Sequence, residues 1–158
     1  MKTMLLTAIS GVVLAIMFSL TVTQATQSGE ADQLAGTWQV QSTQRNCQTG
    51  AAIRTFPALN IFVRGGSMLG TSAGASPALF SNAYGVWQHI GGQNFTNTFT
   101  VFRFNPDGTY TGTLKATRAI VLGPDFNEFT TTESIEIFDP SGNLISTGCA
   151  TQTARRLE

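Results

Sequence analysis

The sequence predicts an all-β domain of eight antiparallel strands in up-and-down (meander) order, closing into a barrel behind an N-terminal signal segment. Three observations carry this expectation. After residue 30, no stretch places apolar residues at the three-to-four spacing of an amphipathic helix. Turn signals recur roughly every ten to fifteen residues between β-rich runs. Two opposite charges, Arg118 and Glu133, interrupt otherwise apolar strand faces at positions that pair across a hairpin.

The chain begins with Lys2, an uncharged apolar run from Met4 to Val22, and Thr23-Gln24-Ala25. A positive start, an apolar stretch and a small final residue make a secretory signal over residues 1–25, cut after Ala25. Residues 26–158 then form a single barrel domain in a secreted or periplasmic protein. The apolar run exceeds the usual signal core of about 7–15 residues, and about 18 such residues can cross a bilayer. Anchoring by residues 4–22 is therefore the alternative, and the expected membrane contact is confined to this segment.

Eight runs follow: Gly36–Asn46, Ala58–Arg64, Ser67–Ser72, Tyr84–Gly91, Phe95–Asn105, Thr109–Leu122, Phe129–Phe138 and Asn143–Thr153. Gly65-Gly66 and Gly91-Gly92 supply the positive φ that tight hairpins need. Asn105-Pro106-Asp107-Gly108-Thr109 reads as a type I turn, with Pro106 presetting φ and Gly108 in the left-handed position. Asp139-Pro140-Ser141-Gly142-Asn143 repeats that logic. The one long connection, Ser72 to Ala83, carries Pro77, Leu79 and Phe80, and reads either as a lid over a barrel mouth or as a loop packed outside.

Alternation assigns the interior. In the sixth run Tyr110, Leu114, Ala116, Ile120 and Leu122 share a parity with Arg118; in the seventh Phe129, Thr131, Ile135 and Ile137 share one with Glu133. A turn centred on Asp125-Phe126 pairs Leu122 with Phe129, Ile120 with Thr131, and hence Arg118 with Glu133. Buried charge is costly unless paired, so the pairing rationalises both residues. Extending the registers from the neighbouring turns sets Phe104 against Tyr110 and Phe102 against Gly112, and points Trp87, His89, Phe102 and Phe104 inward.

Two cysteines, Cys47 and Cys149, suit a disulfide in an exported chain. It would close a loop of about 100 residues and contribute about 4–5 kcal/mol in the chain-entropy model. It would tie the first strand to the last. Two free buried cysteines are the alternative. Cys149 falls on the parity of Ile145 and Thr147, near Glu133, whereas Cys47 has the wrong parity relative to Trp38 and Val40, which requires a bulge or twist in the first strand.

Gly36-Thr37-Trp38 resembles the Gly-x-Trp start of the lipocalins and related calycins. That resemblance implies an up-and-down barrel binding small hydrophobic molecules, with an arginine near the end of the last strand, here Arg155 or Arg156, packed across Trp38. The helix that precedes the last strand in lipocalins has no counterpart in the sequence. Gly85-Val86-Trp87 and Thr147-Gly148-Cys149-Ala150 resemble segments of small exported bacterial proteins, a likeness that implies no activity.

Formal net charge is zero and charged residues make up 11% of the chain, which argues against a nucleic-acid partner. No cofactor motif is present, and a single histidine leaves no His-rich metal site. The expected function is binding of a small hydrophobic or amphipathic ligand by Trp87, His89, Phe102, Phe104, Tyr110, Leu114, Arg118, Glu133 and Ile135. One alternative is a cyclase or isomerase of allene-oxide-cyclase-like barrel type, with Glu133 as acid/base, Arg118 setting its charge and His89 assisting. Another is a filled structural barrel without a ligand. An outer-membrane barrel is the least favoured, because girdle aromatics are few.

Overall fold

The computed structural model describes Gly29 and residues 32–157. The expected signal at 1–25 and the alternative anchor at 4–22 lie outside the described residues. Eight strands follow: β1 (Gly36–Arg45), β2 (Ala52–Val63), β3 (Ser67–Ser72), β4 (Ala83–Gly91), β5 (Asn94–Phe104), β6 (Tyr110–Leu122), β7 (Glu128–Phe138) and β8 (Leu144–Arg156). Each pairs antiparallel with its sequence neighbour, and β1 pairs with β8 to close the barrel. The eight expected runs are all present. The largest departure is β2, which begins at Ala52 rather than Ala58.

The turns form as their residues dictate. In the β5–β6 turn, Gly108 has φ 83° and its N–H donates to the Asn105 carbonyl at 2.9 Å. In the β7–β8 turn, Gly142 has φ 85°, and Asp139 accepts from the Ser141 and Asn143 backbone N–H groups and from the Asn143 amide. That amide, then the Asn143 backbone N–H, holds the Asp139 carboxyl below the usual carboxylate range.

The β6–β7 register is the expected one, with Leu122 opposite Phe129, Ile120 opposite Thr131 and Arg118 opposite Glu133. The register around β5 is not. The expected pair Phe104–Tyr110 exists beside its turn, and Gly91 pairs with Asn94 beside the preceding one, but bulges at Thr111 and Ile90 shift the ladders by one residue. A one-residue slip turns every side chain to the other face. Phe102 therefore sits opposite Thr113 and Trp87 opposite Asn97. Phe95, Asn97, Phe99 and Val101 point inward, while Phe102, Phe104 and Tyr110 form an aromatic cluster on the outside, with Phe102 50% and Tyr110 41% exposed.

Cys47 and Cys149 form a disulfide with Cα atoms 5.3 Å apart. The expected bulge in the first strand is unnecessary. β1 ends at Arg45, which pairs with Cys149, so Cys47 lies in the following turn and has no strand parity to satisfy. Cys149 pairs with Ser134, not Glu133, and lies on the outer parity of β8. The bond fastens the β1–β2 turn to β8 at the seam where the barrel closes.

One end of the barrel is filled. Trp38 packs at a tilt against Phe129 with ring centroids 4.8 Å apart, and Phe62 meets both Phe129 and Trp87 at 6.1 Å. Leu34, Met68, Phe95, Ile120 and Leu122 complete this plug. Arg156 covers it, with its guanidinium carbon 4.3 Å from the Trp38 ring centroid. It donates to the carbonyls of Gln33 and Ala35 at 2.7 Å and of Phe126 at 2.9 Å. Burial pushes its pKa down. Trp38 Nε1 donates to the Leu34 carbonyl at 3.0 Å, so the segment before β1 is sewn across the end.

An outer-membrane barrel needs an apolar band around its whole girth. Leu59, Ile61, Val63, Leu69, Tyr84 and Val86 give β2–β4 such a face. The outer positions of β6–β8 instead hold threonines with Lys115, Glu128, Glu136 and Arg155. The band is interrupted there.

Candidate functional site

The inward side chains change character along the barrel axis. At the filled end they are bulky and apolar. One step up, each strand other than β3 and β4 supplies something smaller or polar: Val40, Asn60, Asn97, Arg118, Thr131 with Glu133, and Gln152. Beyond these lie mainly small groups, Ser42, Ala58, Ala83, Ala150 and Gly148, together with Phe99, Val101, Leu114 and Ile135. Side-chain volume runs out before the barrel does. The result is a cavity of about 390 Å³, open at the end that carries the β1–β2, β3–β4, β5–β6 and β7–β8 connections.

The polar layer is the floor of this cavity. Arg118 is 5% and Glu133 9% exposed, and Arg118 Nε donates to Glu133 Oε2 at 2.8 Å. Gln152 Nε2 donates to the same oxygen at 3.1 Å. Arg118 Nη1 approaches Asn97 Oδ1 at 3.5 Å, and Asn97 Nδ2 is fixed by the Val86 carbonyl at 2.9 Å. In the amide orientation that satisfies both its ends, Asn60 accepts from Arg118 Nη1 at 3.2 Å and donates to the Leu59 carbonyl at 3.1 Å. The guanidinium lies over the Phe99 ring, 4.2 Å from its centroid. Gly70 gives Asn60 its room, since a Cβ there would come within 2.7 Å of the Asn60 amide.

Four polar atoms of the floor are left over, Thr131 Oγ1 among them. Among the described residues no hydrogen bond reaches Glu133 Oε1 or Arg118 Nη2, although both side chains line the cavity. Gln152 Oε1 is fully buried with no donor.

The mouth is framed by Phe56 and Phe80 with Arg54 and Arg103. Phe80 arrives on the β3–β4 connection, which is tied along β5: Phe80 bridges Arg103, Phe104 N–H donates to the Leu79 carbonyl, and Ser81 N–H donates to the Phe102 carbonyl. Of the two readings of this segment, the structure places it at the mouth, where Gly74, Ala75, Pro77 and Phe80 line the opening.

Of the nine expected binding residues, Leu114, Arg118, Glu133 and Ile135 come together around the cavity. Trp87 points inward but belongs to the plug. His89 is half-buried at the filled end, against Phe95 and 2.8 Å from the Gly92 carbonyl, so it does not reach Glu133 through the cavity. Phe102, Phe104 and Tyr110 are outside, for the reason of register given above. The sequence reading missed Asn60, Asn97, Phe99 and Gln152. A usable signal existed in polar residues on a buried parity with a bulky apolar neighbour on one side and a small one on the other, as in Phe62-Asn60-Ala58.

A closed eight-stranded antiparallel meander barrel, with an arginine from the last strand laid on a tryptophan near the start of the first, is consistent with a calycin-like fold. A comparison with protein-family models found none that matches the chain, and a comparison with curated proteins found no relative.

Proposed function

We propose that this is an exported calycin-like barrel that binds a small hydrophobic or amphipathic molecule in its open half. One observation carries the reading: an open cavity of about 390 Å³ with largely apolar walls and a buried polar floor. Small-molecule sites are typically about 300–1,000 Å³, mostly apolar, with a few placed polar groups. The filled-barrel alternative draws its support from the other half, where Trp38, Phe62, Trp87 and Phe129 pack ring against ring.

The test is titration of the mature domain with an environment-sensitive apolar fluorophore. Neither tryptophan lines the cavity, so the readout is the emission of the probe. Ala58→Phe, which fills the space between the floor and Phe56, should abolish binding while the melting temperature holds. A probe that binds wild type and Ala58→Phe alike sits on the outer apolar face instead, and the reading fails.

A cyclase or isomerase reading is favoured by one observation, the Glu133 oxygen left without a donor at the cavity floor. It would have to work with Glu133 and Arg118 alone, since His89 stands apart.

A further inference from the structure

We infer that the ligand enters head first and that the head is electrically neutral and carries a hydrogen-bond donor: a hydroxyl-bearing amphiphile rather than a carboxylate or an ammonium. The inference rests on the binding reading above and deepens it.

Charge is the first reason. The ionisable groups lining the cavity are Arg54, Arg103, Arg118 and Glu133. Arg54 and Arg103 stand at the mouth, where Arg54 is in solvent and hydrogen-bonded to Gln44. At the floor, Arg118 and Glu133 are paired at 2.8 Å, and their companions Asn60, Asn97 and Gln152 are uncharged. The floor therefore offers no net countercharge. A carboxylate or ammonium brought down to it would lose its hydration and would meet one like charge for each unlike one.

The donor–acceptor balance is the second reason. Among the side chains that line the cavity, Glu133 Oε1 and Gln152 Oε1 are acceptor atoms without donors, against one spare donor atom, Arg118 Nη2; Thr131 Oγ1, also without a partner, is not part of the lining. Gln152 is 3% exposed, so its oxygen cannot turn to bulk water. A hydroxyl donates once and accepts twice. It can give its proton to Glu133 Oε1 and accept from Arg118 Nη2. A carboxylate supplies no proton. An ammonium supplies three and accepts none.

The experiment is displacement of the bound fluorophore by decanol, decanoate and decylammonium, on wild type and on Glu133→Gln. Wild type should take decanol about tenfold or more tightly over both ions. Glu133→Gln leaves Arg118 unopposed and should reverse the order, with decanoate becoming the tightest ligand and raising the melting temperature most. If Glu133→Gln does not fold, the pair Arg118→Met with Glu133→Gln restores a neutral floor and should keep the preference for decanol. Equal displacement by all three overturns the inference while leaving the binding cavity intact. So does a wild-type preference for decanoate that disappears in Arg54→Gln with Arg103→Gln, because the head is then at the mouth. Failure of every amphiphile on a fluorophore-binding wild type overturns the inference. Failure of the fluorophore itself removes the binding reading beneath it.

Discussion

Truncating Glu133 to alanine is the sharpest test of the buried pair. Breaking such a pair by removing one partner costs about 3–5 kcal/mol, because the remaining charge stays buried and uncompensated. Two features of this site draw the figure to the lower end. Arg118 keeps Asn60, Asn97 and the face of Phe99, and its Nη2 looks into an open cavity where water can reach it. One feature raises it: Gln152 Nε2 loses its acceptor, at about 1 kcal/mol or more. The expected loss is about 3–4 kcal/mol. In a barrel of this size that lowers the melting temperature by roughly 10–20 °C. Urea denaturation is the direct assay, read as a fall in midpoint at unchanged slope. Arg118→Met combined with Glu133→Leu should recover most of the loss, since removing both charges removes the uncompensated one. A loss below about 1 kcal/mol for Glu133→Ala would refute the reasoning, because only a solvent-screened pair is so cheap to break.

Three further outcomes follow from the same structure. Replacing Cys47 and Cys149 with alanine should lower stability by about 4–5 kcal/mol, given their separation of 102 residues, and should make the denaturation midpoint insensitive to reductant. Wild-type stability in the double variant would mean the seam holds without the bond. Gly112→Ala should destabilise by about 2–3 kcal/mol in a thermal melt, because Gly112 has φ 115° and a Cβ there would strike the Phe138 carbonyl oxygen; an unchanged melt would mean that the bulge lies elsewhere. The depressed Asp139 carboxyl gives the β7–β8 turn an acid dependence of fixed sign. Its contribution is complete above the unfolded aspartate value of about 3.9 and is lost as pH falls through the lower folded value. The amide resonances of Ser141 and Asn143 should move over that acid window and should stop doing so in Asp139→Ala; movement near neutral pH would contradict the assignment.

How much of this was readable in the chain depends on where the ladders slip. The β6–β7 hairpin carries no bulge, so alternation extrapolated from its turn reached the Arg118–Glu133 pair correctly. β5 is bulged against both neighbours, at Ile90 and at Thr111. Alternation read from either of its turns therefore gave the wrong face beyond the slip, and Phe102 displaced Phe99 from the expected interior. β2 misleads in another way. Its outer Leu59, Ile61 and Val63 are more apolar than its inner Ala58 and Asn60. Apolar parity thus points away from the cavity, because an interior that must stay open uses small side chains. In β8, Gln152 looks like a solvent-facing residue until its neighbours are known. Only the pairing of Thr131 with Gln152, beside Glu133 with Ala150, shows it to be floor.

The split between a filled and an open half also explains how a barrel can carry a cavity without losing its fold. A void in a core forfeits the contacts of its lining, and the cost grows with the volume left. Here the lost contacts are confined to one end, while the aromatic plug, the Arg156 cap and the strand ladders hold the other. At the open end the Cys47–Cys149 bond and the loop tied along β5 replace packing with covalent and hydrogen-bonded bracing. Between the halves the polar layer forms a boundary. A floor of hydrogen-bonded side chains anchored to β2, β5, β6, β7 and β8 cannot slide into the plug without stripping its own partners, nor can the plug rise past it. Enlarging a small side chain above that layer should therefore close the cavity at little cost to the fold, whereas truncating Glu133 within it should cost the fold and leave the cavity open.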